Sequence, residues 1–382
     1  MTLGRLLVVE DDPHFAEFVT EVAEGLGFEV GRAACAEDAV GAFEAFQPTL
    51  ILLDLTMPDG DGVSILRELA QLGAKVDIVV CSSVDARLLR SALRVGEQLG
   101  LRVLGSLRKP VGFDQLEATL RGHLATRPSM GSNDMRRALE NDEFELHWQP
   151  KATLATGAVA SAEALLRWEP PEGPQMGPTE FIPILEEAGL IDSVTFWVID
   201  EAVRQVEAWR REGIEIRAAI NLSACSLADL SLPDRCAEVV AAHGADPERF
   251  VFEVTETGMM ADELRAAEVL SRLRLKGFDL SLDDFGTGYS SLARLHELPF
   301  TELKIDRYFV SGLGTSDDSE VLVRSMTDLA HNLGLEACAE GIETDEIWRQ
   351  VCALGCDTGQ GYHLSQPVPA ADFARWLEQR RP

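Results

Sequence analysis

Short aliphatic runs alternate with amphipathic stretches along almost the whole chain, and this alternation limits the fold more than any other feature. Within about the first 125 residues, the runs with the character of buried strands are residues 6–9, 50–53, 78–80 and 103–104. The stretches that follow them have the pattern of helices. Strands alternating with helices form a parallel sheet covered by helices. We therefore predict that the chain begins with a five-unit, (βα)5 parallel α/β domain.

The same alternation resumes with longer units after a break. Residues 125–133 are rich in Gly, Pro and Ser and are predicted to be a linker between a domain of residues 1–124 and a domain of residues 134–382. The strand-like runs of the second domain are residues 159–164, 217–222, 250–254, 280–283, 303–305, 335–339 and 358–362. About 250 residues of repeating β/α units are typical of a (β/α)8 barrel.

Charge and cysteine content exclude several classes of protein. The chain has 64 acidic and 34 basic residues, a net charge of −30, which argues against duplex DNA as a partner. Its seven cysteines include no C-x-x-C pair, so neither a disulfide framework nor a zinc site is predicted. The chain has no aliphatic run of roughly 18 residues and no signal-peptide pattern at its start. We expect a cytoplasmic protein without membrane insertion.

Polar residues follow the predicted strands of the first domain. Acidic residues 10–12 come after the first strand, Asp54 and Ser82 end two later strands, and Lys109 follows the last one. Ligands of an open parallel sheet bind at the carboxyl ends of its strands, so we expect these groups to converge. Carboxylates there can hold Mg²⁺ while one of them attacks a phosphoryl group, whose oxygens a hydroxyl and an ammonium bind.

This succession resembles the receiver domain of response regulators, which has a flavodoxin-like fold. The motifs are VVEDDP at 8–13, Asp54 followed by Met-Pro and Asp-Gly, Ser82, and the Lys-Pro pair at 109–110. The resemblance implies that Asp54 is the phosphorylated residue and that Glu10, Asp11 and Asp54 hold one Mg²⁺. Ser82 and Lys109 then bind the phosphoryl group, and a sensor histidine kinase is the implied donor.

One position departs from the receiver pattern. Receivers usually carry an aromatic residue three positions before the lysine of the Lys-Pro pair, and its rotation reports phosphorylation. In this chain the position is Ser106. The resemblance therefore supports phosphoryl transfer to Asp54 better than it supports the usual switching mechanism.

Polar residues also end the strand-like runs of the second domain. They are Glu163, Asn221, Glu253, Asp283, Asp284, Lys304, Glu340 and Gln360. If each run is a barrel strand, these side chains meet at the C-terminal mouth, where barrel active sites are built. Two carboxylates ~4 Å apart repel by about 4 kcal/mol at an effective dielectric near 20. Bound Mg²⁺ or Mn²⁺ would relieve this repulsion, and raised carboxyl pKa values are the weaker alternative.

Strand periodicity limits which neighbours share the site. Adjacent strand residues face opposite ways, so Asp283 and Asp284 reach one site only if the strand ends between them. Lys304 and Asp306 are two apart and share a face. Glu256 is three residues after its strand-end glutamate and is predicted to organise a loop instead.

A second resemblance covers nearly all of residues 134–382. The motifs are WQP (148–150), EALLRW (163–168), FIPILEEAGL (181–190), INLS, EVTE, LDDFGTGYSSL (282–292), LKIDRYFV (303–310), AEGIET (339–344) and GCDTGQGY (355–362). They resemble the EAL-domain phosphodiesterases. The resemblance implies a modified (β/α)8 barrel of TIM type, two Mg²⁺ or Mn²⁺ ions, and hydrolysis of cyclic di-GMP to linear pGpG.

The resemblance also implies a role for each matching residue. The implied metal ligands are Glu163, Asn221, Glu253 and Asp283, with Asp284 and Glu340 completing the second-metal and water-activation group. Asp284 and Glu340 remain open between ligand and general base. Lys304 positions the attacking water. The implied substrate-side residues are Gln149, Arg167, Asp306 and Gln360, while Glu256 steadies the DDFGTGYSS loop. This loop and the helix after it are where the family dimerises.

Arg167 has two interpretations from the residues alone. A planar guanidinium suits bidentate binding of a phosphate, which favours a substrate role. A surface ion pair in an acid-rich chain is the alternative.

Together these features predict a response regulator whose receiver modulates a metal-dependent cyclic di-GMP phosphodiesterase, active as a homodimer or higher homo-oligomer. A catalytically silent EAL receptor or protein-interaction module is the alternative from another class. A phosphorelay partner whose barrel is only a scaffold is a third. Every matched motif position carries the expected residue, which favours the enzyme.

Overall fold

The chain divides into two compact units, Met1–Ser129 and Met130–Pro382, in a computed structural model. The structure describes residues 4–58, 60–125, 131–171, 175–260, 262–286, 292–314 and 317–380. Most of the predicted linker, residues 126–130, lies outside the described residues. Helix α6, whose bounds are given below, begins at Ser132, inside the segment predicted as linker.

The first unit is a five-stranded parallel sheet with helices between successive strands. Its strands are β1 (Gly4–Val9), β2 (Phe28–Ala33), β3 (Leu50–Leu53), β6 (Asp77–Ser82) and β7 (Arg102–Arg108), with a two-stranded ribbon of β4 (Thr56–Met57) and β5 (Gly60–Asp61). Its helices are α1 (Pro13–Gly25), α2 (Ala36–Phe46), α3 (Gly62–Gln71), α4 (Ala86–Gln98) and α5 (Phe113–Ala125). The sheet order is β2-β1-β3-β6-β7, the flavodoxin-like order, so the predicted fold is confirmed.

Both faces of this sheet are buried, which explains the continuous aliphatic runs. In β1, Leu7 and Val9 pack in one hydrophobic cluster and Leu6 and Val8 in another. Successive side chains of a strand point to opposite faces, so a strand covered on both sides must be apolar throughout. Helix α1 begins directly after β1 because the Asp12 side chain accepts hydrogen bonds from the first backbone N–H groups of the helix.

The second unit is a closed barrel with one reversed strand. Its strands are β8 (Phe144–Thr153), β9 (Val159–Trp168), β10 (Arg217–Asn221), β11 (Phe250–Thr255), β12 (Asp279–Phe285), β13 (Glu302–Ile305), β14 (Glu336–Ala339), β15 (Thr358–Gln360) and the short β16 (Val368–Pro369). Strands β9 to β15 are parallel in sequence order, and β8 pairs antiparallel with both β9 and β15. The predicted modified (β/α)8 barrel is confirmed.

Helices surround this barrel. They are α6 (Ser132–Glu140), α7 (Pro178–Glu187), α8 (Ile191–Arg211), α9 (Leu232–Ala242), α10 (Glu263–Leu275), α11 (Leu292–Glu297), α12 (Arg307–Val310), α13 (Asp317–Asn332), α14 (Asp345–Ala353) and α15 (Ala370–Glu378). A single hydrophobic cluster joins the helices to the outer faces of the strands. The strands therefore present polar residues only to the barrel interior. Within the described part of the chain, no helix combines the length and apolarity that a membrane crossing requires.

Strand β8 was not among the predicted strands. Its sequence, FELHWQPKAT, mixes charged and apolar residues and contains Pro150, which lacks a backbone N–H and argues against a central strand. The strand forms nevertheless because its outer face, including Trp148, packs on the helices while its inner face is polar.

Candidate active site

The first unit brings its predicted residues together at the carboxyl ends of the strands. The Lys109 Nζ donates to both carboxylate oxygens of Glu10 at 2.7 Å and to Asp54 Oδ2 at 2.5 Å. Oxygens of Glu10, Asp11 and Asp54 lie within 4.8 Å of one another. Glu10 and Asp54 are almost fully buried. The three carboxylates provide a set of oxygen ligands suited to a hard cation, and the Lys109 ammonium lies beside them.

Thr56 belongs to this site although sequence analysis did not select it. Its backbone N–H and hydroxyl donate to Asp54 Oδ1 at 2.9 and 3.3 Å, and the hydroxyl lies 3.2 Å from Ser82 Oγ. These contacts fix the Asp54 carboxylate on one side while Lys109 fixes the other. The signal in the sequence was only its position, two residues past Asp54.

Burial and pairing act in opposite directions here. Burial raises the pKa of Glu10 above its ordinary value, despite the hydrogen bond from Lys109. Burial would lower the pKa of Lys109, but hydrogen bonds to Asp54 and Glu10 outweigh it, and the pKa is raised. Lys109 therefore remains an ammonium.

At the barrel mouth, a chain of side-chain amides holds Glu163 from two sides. Asn221 Nδ2 donates to Glu163 Oε1 at 2.7 Å, and Gln360 Nε2 donates to Glu163 Oε2 at 2.6 Å. Gln360 Nε2 also donates to Gln149 Oε1 at 3.0 Å. Four strands, β8, β9, β10 and β15, thus contribute one connected group, as their convergence at one mouth predicted.

Lys304 lies among the carboxylates of the other strands. Its Nζ is 2.7 Å from Glu253 Oε2, 2.8 Å from Glu340 Oε1, 3.1 Å from Asp283 Oδ2 and 3.8 Å from Glu163 Oε2. Only 1% of its side chain is exposed. If all four carboxyl groups were ionised, one buried ammonium would leave a large excess of negative charge, which favours binding of further protons or metal cations.

Asp283 and Asp284 both reach this group, but not in the way predicted. Strand β12 does not end between them; it continues to Phe285. The pairing of β12 with β13 instead shifts register between Leu282 and Phe285, and Asp284 has φ 55°. This bulge and left-handed residue turn both carboxylates to the same side, because a bulge breaks the strict alternation of faces. Oxygens of Asp283, Asp284 and Glu340 lie within 4.8 Å of one another.

The carboxyl groups of the mouth differ in proton affinity. Burial raises the pKa of Glu340 to about 8, against the attraction of Lys304. Burial, Asp283 and Asp306 together raise the pKa of Asp284 to about 6. Burial also raises the pKa of Glu253 well above its ordinary value. The protein thus holds acids here that bind protons when no metal cation is present.

Glu163 behaves in the opposite way. Burial alone would raise its pKa, but the charge of Lys304 and the hydrogen bonds from Gln360 and Asn221 outweigh burial, and the pKa is lowered. Glu163 is therefore an anion at neutral pH.

Two buried oxygens test whether this site suits a divalent cation. Among the described residues, neither Glu253 Oε1 nor Gln360 Oε1 has a hydrogen-bond partner. A buried oxygen without a donor is expensive unless another ligand satisfies it. Both belong to residues that surround the carboxylate group, so the donor set fits hard cations such as Mg²⁺ and Mn²⁺.

The outer residues of the mouth differ in how tightly they are held. Arg167 is half-buried, and its Nη1 donates to the Leu166 carbonyl at 2.8 Å. Burial lowers the pKa of its guanidinium, while Tyr362 and Glu163 oppose this effect. Asp306 caps α12 by accepting from the Tyr308 N–H at 2.9 Å. These residues rim the site rather than fill it.

Glu256 is buried at the end of β11. The loop that it was predicted to steady includes residues 287–291, which lie outside the described residues. Trp148, Trp168 and Phe181 have no exposed surface, so these aromatic side chains pack in the core and are not available to stack on a base.

A buried polar layer that sequence analysis missed lies below the mouth. Lys151, Ser281 and Glu302 are joined by hydrogen bonds inside the barrel. Each is two residues before or after a residue of the site on the same strand. That spacing of two was a usable signal, because residues two apart share a face.

Comparison with known proteins finds a family match for each of the two units. The family model for the EAL domain matches residues 132–367, and that for the response regulator receiver domain matches residues 6–121. The chain is 32% identical to the cyclic di-GMP phosphodiesterase RocR of Pseudomonas aeruginosa, over 97% of both chains.

Two further likenesses are confined to the second unit. The cyclic di-GMP phosphodiesterase PdeR of Escherichia coli is 37% identical over 64% of this chain, which spans 37% of PdeR. The solved structure of the PaMucR phosphodiesterase in complex with c-di-GMP has a TM-score of 0.61 and 39% identity. That match covers 63% of this chain and 98% of the other.

Proposed function

This chain belongs to the EAL domain family and carries a response regulator receiver domain before its EAL domain, and from that premise we propose that it hydrolyses cyclic di-GMP to linear pGpG. The observation that carries the proposal is the barrel mouth, where Lys304 meets five carboxyl groups that lie on or just after four strands. A catalytically silent receptor would have no need of this set. The relation to RocR over almost its whole length supports the same activity.

We propose that two Mg²⁺ or Mn²⁺ ions bind at the mouth. Their ligands would be Glu163, Asn221, Glu253, Asp283, Asp284 and Glu340. Such ions supply charge neutralisation at the phosphodiester and lower the pKa of an attacking water.

The remaining catalytic and substrate-binding roles belong to side chains of the protein. The Lys304 ammonium holds and orients the water. Glu340 and Asp284 serve as ligand or general base, and both roles need the deprotonated carboxylate. Gln149, Gln360, Arg167 and Asp306 face the substrate, with the Arg167 guanidinium binding a phosphate oxygen pair. Glu256 steadies the loop after β12.

We further propose that Asp54 accepts a phosphoryl group from a sensor histidine kinase, with one Mg²⁺ at Glu10, Asp11 and Asp54. The carboxylate pair held by Lys109 supports this assignment. Ser106 lies exposed in β7 where an aromatic switch residue is usual, so coupling to the barrel would use other contacts. The protein is proposed to be cytoplasmic, to form a homodimer or higher homo-oligomer through its EAL domain, and to bind neither DNA nor membranes.

Turnover of cyclic di-GMP tests the proposal directly. With Mg²⁺ or Mn²⁺ the purified full chain is expected to release pGpG, detected by chromatography, and EDTA should abolish the reaction. Binding of cyclic di-GMP should persist when Ca²⁺ replaces Mg²⁺, because Ca²⁺ also binds oxygen ligands. Hydrolysis is not expected with Ca²⁺. Tight binding with no pGpG under any cation would favour the receptor alternative.

Stability of the metal-free protein is expected to fall as pH rises. Glu340, with pKa about 8, and Asp284, with pKa about 6, bind protons more tightly when folded than when unfolded. The stability that their protonation provides is present below about pH 4 and is lost as pH rises through about 6 and then about 8. The melting temperature measured in EDTA should fall by about 3 °C or more between pH 5.5 and pH 8.5.

Added Mn²⁺ should reverse this trend, because ligands bind a metal only when deprotonated. The increase in melting temperature on adding Mn²⁺ should therefore be larger at pH 8.5 than at pH 5.5. Glu340→Gln serves as the control and should flatten the metal-free pH dependence. A melting temperature in EDTA that stays constant or rises with pH would contradict the raised pKa values of Glu340 and Asp284.

A further inference from the structure

The barrel interior contains a second buried cation that the proposed chemistry does not use. The Lys151 Nζ donates to both carboxylate oxygens of Glu302, each at 2.7 Å. Ser281 Oγ donates to Glu302 Oε1 at 2.8 Å. The side chains of Lys151 and Glu302 are 4% and 8% exposed, and Ser281 has no exposed surface.

Strand register places this pair one layer beneath the site. Lys151 follows Gln149 by two residues in β8, and Glu302 precedes Lys304 by two residues in β13. Residues two apart on a strand share a face, so the pair and the site residues face the same interior. Strands β14 and β15 lie between β13 and β8 in the sheet. The ion pair therefore bridges strands that are not neighbours in the barrel wall.

A buried ion pair of this kind is a poor source of stability. Removing two charges from water is opposed by desolvation, and apolar side chains of similar volume serve a core equally well or better. The position of the pair gives it a different role. Each partner lies beneath groups of opposite charge: Lys151 attracts Glu163 and Glu253, and Glu302 attracts Lys304.

We propose that Lys151 and Glu302 are positioning residues that neutralise each other so that neither enters the site above. Lys151 keeps Glu302 from drawing the Lys304 ammonium down, away from Glu253, Asp283 and Glu340. Glu302 keeps the Lys151 ammonium from occupying the carboxylates that are to hold metal. The inference rests on the proposed metal-dependent function. Substitution of Lys151 or Glu302 should also change metal affinity, which is measured without turnover.

Opposite shifts in Mn²⁺ affinity test the proposal in the full chain. Lys151→Met leaves Glu302 to attract Lys304, so the carboxylates lose their competing cation, and the Mn²⁺ dissociation constant should fall about fivefold or more. Glu302→Gln leaves the Lys151 ammonium to compete, and the constant should rise about fivefold or more. Titration calorimetry or Mn²⁺ electron paramagnetic resonance measures both. A scaffold role would leave the constants unchanged or move them in the same direction, and either result would overturn the proposal.

Steady-state kinetics supply a second readout. Displacement of Lys304 in Lys151→Met should lower kcat by about tenfold or more at saturating Mn²⁺, with KM within about threefold. Lys276→Met is the matched control, because Lys276 forms a partly exposed pair with Asp234 at 2.7 Å, away from the barrel interior. It should change neither kcat nor the Mn²⁺ constant. An unchanged kcat in Lys151→Met would contradict the role assigned to the pair.

A double variant keeps the test decisive if a single variant does not fold. Lys151→Met/Glu302→Leu removes both charges, should fold, and should bind Mn²⁺ within about twofold of the wild type. A shift of fivefold or more in this variant would overturn the mutual-neutralisation argument. Wild-type protein that binds Mn²⁺ without turnover would contradict only the proposed enzyme activity. Wild-type protein that does not bind Mn²⁺ would contradict both proposals.

Discussion

Lys304→Met is expected to lower turnover of cyclic di-GMP by about three orders of magnitude, because a buried, positioned charge is removed from the reacting centre. Methionine has nearly the shape of lysine and lacks the charge. The wild-type Nζ contacts Glu253, Glu340 and Asp283 at 2.7 to 3.1 Å. Binding of metal should survive and even strengthen in the variant, because Lys304 occupies oxygens that the cations would use.

The same substitution should destabilise the metal-free protein. Removal of one partner from a buried charge group leaves the others uncompensated, at about 3–5 kcal/mol. Chemical unfolding in EDTA measures the loss, and added Mn²⁺ should offset much of it by supplying a replacement cation.

Lys276→Met provides the comparison for both measurements. The partly exposed pair of Lys276 with Asp234 should contribute about 1 kcal/mol or less, and turnover should be unchanged. Turnover within about tenfold of wild type in Lys304→Met would remove this lysine from the proposed chemistry. Loss of Mn²⁺ binding in that variant would show instead that Lys304 holds the site together.

Asp54→Asn should abolish covalent phosphorylation of the first unit. An amide cannot attack a phosphoryl group as the carboxylate does, so incubation with Mg²⁺ and a small acyl phosphate should add no phosphate to the variant. Intact-mass spectrometry of the full chain detects the adduct on the wild type. The fold should persist, because Lys109 keeps both contacts of 2.7 Å to Glu10.

Asp85→Asn is the matched control for this experiment. Asp85 caps α4 by accepting from the backbone N–H groups of Arg87 and Leu88, and asparagine caps helices equally well. This variant should be phosphorylated like the wild type. Phosphate incorporated into Asp54→Asn at the wild-type level would place the acceptor at another residue.

Much of the fold was predictable because burial on both faces of a strand leaves a readable pattern. Residues 6–9, 50–53 and 78–80 are aliphatic throughout and lie in β1, β3 and β6, the three central strands of the first unit. Strand β8 was missed since its Pro150 and inward polar residues resemble a loop, and only closure of the barrel against β9 and β15 makes it a strand. Local propensity does not report such long-range pairing.

Some residues of the candidate site could likewise be predicted from the sequence, and others could not. Residues that follow aliphatic runs, such as Glu163, Glu253 and Lys304, were identifiable because barrel topology brings the carboxyl-end halves of the strands to one mouth. Glu163 does not end its strand as predicted, because β9 continues to Trp168. Asp284 reaches the group by a bulge and a φ of 55°, where the sequence predicted the end of a strand. A bulge depends on the register of neighbouring strands, and no local residue pattern specifies that register.

The sequence by itself determined the two α/β units and the acidic character of both clusters that follow the aliphatic runs. These follow from periodicity and residue type, which act over a few residues at a time. Only the tertiary structure decided that Lys304 lies among four carboxylates and that Lys151 pairs with Glu302 beneath the site. Contacts between side chains about 50 to 150 residues apart exist only once the sheet has closed, because closure alone sets which strand ends face one another.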